Sequence, residues 1–136
     1  MAQLTYTVFT GELVARSDDG RDVVFAMCES GFSNYWWNSS QKEKGKYGTA
    51  GHVPGGPIPT GRWRVHRPGA PHPDGGQLRP NWIPIGPVRR RTLIYLHPAG
   101  TRTEGCIAVT RDFERVRAVV QRDAGGWLIV IDGDLV

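Results

Sequence analysis

Thr92-Leu93-Ile94-Tyr95-Leu96-His97, a polar turn from Pro98 to Gly105, and then Cys106-Ile107-Ala108-Val109 make up the stretch on which the fold turns. The first run is rich in β-branched, aromatic and aliphatic residues and reads as a strand; alternation puts Leu93, Tyr95 and His97 on one face. The second is a short apolar run opening out of the turn, again strand-like.

Working outward, runs of the same kind dominate. Thr5 to Phe9 and Glu12 to Ala15 flank Thr10-Gly11, the pattern of a hairpin. Asp18-Asp19-Gly20 is a turn signal leading into a strand from Asp22 to Met27. Residues 29–59 are rich in glycine, asparagine and serine, with Tyr35-Trp36-Trp37 embedded in them. Gly55-Gly56-Pro57-Ile58-Pro59-Thr60-Gly61 then introduces a strand from Arg62 to His66. Residues 67–81 are crowded with prolines and glycines around His72, which predicts a long loop, functional or mobile. Beyond Val109, Thr110 or Asp112 caps a helix running to about Arg122, with Phe113, Val116, Val119 and Val120 at helical spacing. Gly125-Gly126 ends it, and Trp127 to Ile131 is a buried strand. The expected fold is one mainly β (α+β) domain spanning residues 1–136, a β-sandwich or barrel with one C-terminal helix.

Bulk properties narrow the function classes. A chain of 136 residues buries a core without needing disulfides or metals. A net charge of +4 and a pI near 9.4 favour anionic partners: nucleic acid, acidic lipid or bacterial cell wall. Apart from Arg89-Arg90-Arg91 the arginines are scattered, and no helix carries a basic stripe, which argues against nucleic acid. The start, Met1-Ala2-Gln3-Leu4-Thr5-Tyr6, lacks the pattern of a secretory signal, and no apolar stretch approaches the roughly 18 residues of a membrane span. The expectation is synthesis in the cytoplasm, with export by another route if the protein works outside it.

Cys28 and Cys106 form no disulfide framework and no CxxC pair. Cys28 closes the apolar run Val23-Val24-Phe25-Ala26-Met27 and reads as a buried small residue. Cys106 follows Gly105 in a polar turn. A thiol reacts as its thiolate and needs a neighbouring base, most often histidine. His97 precedes that turn and Cys106 follows it, so imidazole and thiol can meet at little loop-closure cost. The N–H groups of Gly105 and Cys106 are then candidates to hold an oxyanion. Arg102, in the same turn, is placed to favour the thiolate or bind a substrate carboxylate. Tyr95 shares the His97 face and lines the site or packs as a sheet aromatic. Trp36, Trp37 and Trp82 read as core or as stacking platforms. His72 reads as incidental. His66, His72, His97 and Cys106 have no recognised zinc spacing, so neither metal nor cofactor is expected.

The segment Ile94-Tyr95-Leu96-His97 through Thr103-Glu104-Gly105-Cys106-Ile107 resembles the active-site signature of YkuD-like L,D-transpeptidases. It is more similar to their short-loop relatives, the L,D-transpeptidase-like type VI secretion effectors that attack the peptidoglycan of rival bacteria. Gly56-Pro57-Ile58-Pro59-Thr60-Gly61-Arg62-Trp63 resembles the Gly-Pro-Ile-Pro-x-Gly-x-aromatic segment of those effectors. Ser30-Gly31, followed by Asn34 or Asn38, fits their Ser-Gly…Asn element. Glu104 stands where the larger transpeptidases carry a second histidine, Ala108 where they often carry asparagine or arginine, and the turn is shorter than theirs. These departures favour the effector branch.

The resemblance implies that Cys106 is the nucleophile, His97 its base and Gly105 part of the oxyanion site. It also implies that Tyr95, Arg102, Thr103, Glu104, Ser30 and Asn38 contact substrate. The implied activity is L,D-carboxypeptidase or D-amino-acid exchange on tetrapeptide stems, in an antibacterial effector delivered to the periplasm of target cells. Its implied partners are peptidoglycan stem peptides, a cognate immunity protein and a component of the secretion apparatus. The alternatives are a housekeeping L,D-transpeptidase and a non-catalytic wall-binding module. A group near Pro98, backbone or side chain, is expected to orient His97.

Overall fold

The computed structural model describes residues 1–30, 58–89, 91–98, 106–131 and 133. Eight strands close into a barrel: β1 Ala2–Thr7, β2 Glu12–Arg16, β3 Val23–Ser30, β4 Gly61–Val65, β5 Ile83–Ile85, β6 Ile94–Pro98, β7 Ile107–Val109 and β8 Gly126–Ile131. Around the barrel the order is β1-β2-β3-β7-β6-β5-β4-β8. The mainly β expectation holds, in its barrel form.

Alternation fills the interior. Leu4 and Tyr6 of β1, Leu13 and Ala15 of β2, Val24, Ala26 and Cys28 of β3, and Leu128 and Val130 of β8 all join one buried cluster. Ile94 and Leu96 of β6 and Ile107 and Val109 of β7 belong to the same cluster. Tyr95, His97 and Ala108 are buried yet stand outside it, on the barrel's outer side.

The hairpin of β1 and β2 forms as the sequence predicts, with Gly11 at φ 78° donating its N–H to the Thr7 carbonyl. β8 closes the ring between β1, which it meets in parallel, and β4, which it meets antiparallel. Gly126 is obligatory at that seam, because a Cβ there would lie 2.1 Å from the Ala2 carbonyl oxygen. The helix α1, Phe113–Arg122, buries the four residues its spacing marked, Phe113, Val116, Val119 and Val120. Asp112 stands at its N-cap with a left-handed backbone and makes no side-chain cap. At the other end Arg122 reaches Asp19 at 2.6 Å and also pairs with Asp22, tying the helix to the β2–β3 turn.

Strand β5 is absent from the sequence expectation; Ile83-Pro84-Ile85 is short and carries a proline. The proline-rich segment ahead of it has no regular structure but lies against the outer side of β6, through contacts described next. No helix among the described residues is long and apolar enough to cross a membrane.

Candidate active site

Two strands build the site. β6 and β7 run parallel, with Leu96 opposite Ile107, His97 opposite Ala108 and Pro98 opposite Val109. That register sets Cys106 beside Tyr95, one step ahead of the ladder and on the outer side with His97. A tight turn alone would suggest two antiparallel strands with His97 facing Cys106. The parallel pairing instead makes them diagonal neighbours on one face, a relationship that side chains can bridge.

Cys106 takes the place of the next rung. Its Sγ accepts the N–H of Tyr95 at 3.3 Å, and its S–H faces the Leu93 carbonyl at 3.7 Å. Leu93 has φ 55°, a left-handed conformation that a leucine rarely adopts. Strained backbone of this kind concentrates at functional sites. The thiol is half-buried. Burial raises its pKa above the ordinary 9.0, while the Tyr95 amide and the positive charge of Arg79 draw it back. Its resting form at neutral pH is therefore the thiol.

The group that orients His97 is the Pro98 carbonyl. His97 Nδ1 lies 2.7 Å from that oxygen and so carries the ring proton as donor, leaving the lone pair on Nε2. The ring is 2 % exposed and stacks on Trp82, with centroids 4.5 Å apart and planes 23° from parallel. Burial lowers its pKa below the ordinary 6.5, opposed by the Pro98 bond and assisted by Arg79. The Nε2 lone pair makes this imidazole a proton acceptor on the same outer face as the Cys106 thiol, the protonation state that general-base activation of a cysteine requires.

No protein-family model, curated protein or solved structure matches this chain. The chemistry of the site therefore stands on its own geometry.

Several residues of the site escaped the sequence. His72 is not incidental: it is 6 % exposed, its Nε2 lies 2.9 Å from the Ile94 carbonyl, and its ring meets Tyr95 edge-on at 4.8 Å. Trp82 is not in the barrel core; it covers His97 and touches Tyr95 edge-on at 5.4 Å. Arg79 lies over Trp82 at 4.6 Å and is the cation whose field reaches both Cys106 and His97. All three come from the proline-rich segment and its exit, and only the length of that loop hinted at a role.

The remaining expectations divide. Tyr95 is at the site, but its ring is buried and its backbone N–H makes the contact with the thiol. Ser30 is fully buried, and its Oγ accepts the Ile58 N–H at 2.8 Å. This bond fastens the end of β3 to the chain entering β4, a structural contact. Arg102, Thr103, Glu104, Gly105, Asn34, Asn38, Trp36 and Trp37 lie outside the described residues. Both cysteines are free; Cys28 faces the interior opposite Val109, whereas Cys106 stands on the outer side, so the sheet separates them. Among the described residues no cluster of three His, Cys, Asp or Glu side chains could hold a metal ion.

Proposed function

We propose that the protein is a cysteine-dependent peptidoglycan-modifying enzyme, an L,D-carboxypeptidase and D-amino-acid exchanger acting on tetrapeptide stems as an antibacterial type VI secretion effector. One observation carries the catalytic part. The Cys106 thiol sits against the backbone of the strand that carries His97, whose Nδ1 is spent on the Pro98 carbonyl. Resemblance of the flanking residues to the L,D-transpeptidase-like effectors supplies the substrate and the biological setting.

In this reading His97 Nε2 takes the Cys106 proton as the sulfur attacks the carbonyl of the L-centre of diaminopimelate. The Tyr95 amide steadies negative charge on sulfur until the S–C bond forms. The tetrahedral intermediate collapses to a thioester, and terminal D-alanine leaves with the proton returned by His97. Water, deprotonated by the same imidazole, then frees the tripeptide and regenerates the thiol. The amine of a free D-amino acid, attacking instead of water, gives exchange. Proton transfer belongs to the chemical step, because burial keeps the resting pair neutral.

The test is mass spectrometry of purified muropeptides incubated with wild type, Cys106→Ala and His97→Ala, with and without D-methionine. The expected result is loss of D-alanine, or its replacement by D-methionine, with the wild type only. Unchanged muropeptides in all three, with folded protein, would overturn the enzyme reading and support the wall-binding alternative.

A further inference from the structure

The segment from His72 to Gly76 is not used by the chemistry above, yet it grips the backbone beside the nucleophile at successive residues. Asp74 Oδ2 accepts the N–H of Leu93 at 3.0 Å, and His72 Nε2 bonds the carbonyl of Ile94 at 2.9 Å. Within the segment, the Asp74 N–H donates to His72 Nδ1 at 3.0 Å, so the imidazole and the carboxylate are braced together. Gly76 completes the grip. It has φ 85°, and a Cβ on it would approach the Leu93 side chain to 3.0 Å, so the absence of one lets the leucine close over the loop.

Leu93 is the residue whose backbone is unfavourable. Left-handed geometry costs a leucine of order 1 kcal/mol, and it persists only where the surroundings over-determine it. Here it points two groups in useful directions: the N–H toward Asp74 and the carbonyl toward the Cys106 thiol. Relaxation of Leu93 to an extended conformation would swing that carbonyl away and leave Sγ with the Tyr95 amide alone.

We propose that Asp74 is a positioning residue, which holds Leu93 left-handed so that its carbonyl fixes the rotamer of the Cys106 thiol opposite the Tyr95 N–H. His72 supports it by binding the next carbonyl and bracing the loop. The charged and titratable groups around the thiol are Arg79, His97 and Tyr95; Asp74 acts on it through Leu93. The assignment rests on Cys106 being the nucleophile, but its physical content concerns the thiol alone.

Infrared spectroscopy of the S–H stretch tests it in the absence of any muropeptide. In a Cys28→Ala background Cys106 is the sole thiol, and a hydrogen-bonded S–H absorbs at lower frequency and in a narrower band than a free one. The folded protein is expected to show a band lowered and narrowed relative to the same protein in urea. Adding Asp74→Ala should move it back toward the unfolded position, whereas Asp74→Asn, which keeps an acceptor oxygen, should leave it in place. An unshifted band in the folded Cys28→Ala protein overturns the proposal whether or not Asp74→Ala folds. So does a lowered band that Asp74→Ala leaves unmoved, or that Asp74→Asn abolishes as fully as Asp74→Ala. Failure of muropeptide turnover would overturn the enzyme reading and leave these outcomes unchanged.

Discussion

The ring of Trp82 lies on the ring of His97, centroids 4.5 Å apart, with Arg79 over the same indole at 4.6 Å. The imidazole is thereby held from two directions, in its plane by the Pro98 carbonyl and across its face by the indole. An aromatic stack is worth about 1 kcal/mol beyond the area it buries. Trp82→Ala should therefore slow D-alanine release by roughly fivefold to tenfold. Trp82→Phe, which keeps a flat partner, should retain most of the rate. Time courses of muropeptide conversion measure both.

The buried imidazole also sets a pH profile. Because burial keeps His97 below 6.5, turnover should rise with pH along an acid limb whose midpoint lies under that value. A midpoint above 6.5 in kcat/KM would contradict the assignment of His97 as base. Stability follows the same proton. As pH falls from 6.5 through the lower folded value, the unfolded chain takes up the proton first, so the folded state loses stability. His97→Gln should flatten that part of a Tm-against-pH curve.

The two thiols should behave differently. Cys28 is 3 % exposed in the barrel core, and burial pushes its pKa strongly upward. Iodoacetamide should label Cys106 first in folded protein, and Cys28 only after unfolding. Cys28→Ala should lower stability by about 1 kcal/mol through the small void it leaves, with turnover intact. Peptide mass mapping and urea denaturation check the two halves.

Tyr6 places a hydroxyl inside the barrel with no hydrogen-bond partner among the described residues, and burial raises its pKa well above the ordinary value. A buried hydroxyl without a partner costs about 1–3 kcal/mol. Tyr6→Phe keeps the ring and removes that cost, so the variant should be at least as stable as wild type in urea denaturation.

Ser30→Ala should act in the opposite sense. It strips the acceptor from the buried Ile58 N–H and should cost about 1–3 kcal/mol. The same denaturation series measures it. A comparable loss of turnover without loss of stability would restore a role for Ser30 at the substrate.

Local pattern carried much of this fold. Runs of β-forming residues identified the hairpin and β6, and the helical repeat identified α1 with its four buried residues; β8, expected to be a buried strand, is buried on one face only, with Ile129 and Ile131 exposed. That Cys106 and His97 come near one another was suggested by their flanking one turn, and the register of β6 and β7 places them on one face. What local pattern could not convey was pairing between distant segments. β5 is three residues long and contains Pro84, so it makes sense as a strand only once β4 and β6 lie on either side. His72, Asp74, Arg79 and Trp82 join the site through contacts folded back from a loop, and nothing in their spacing encodes that return. The parallel pairing of β6 with β7 is likewise not encoded in the spacing of their residues.

β8 lies between β1 and β4, so the first strand and the last share a hydrogen-bonded seam. On the ribosome, where the chain emerges from its N-terminus, β1 and β4 each wait with an open edge until β8 has left the exit tunnel. β6 and β7 precede β8 in the chain and can pair before the ring closes. The nascent protein can thus bring Cys106 and His97 onto one face before it has completed the cylinder that supports them, with the edges of β1 and β4 open to misassociation during that interval.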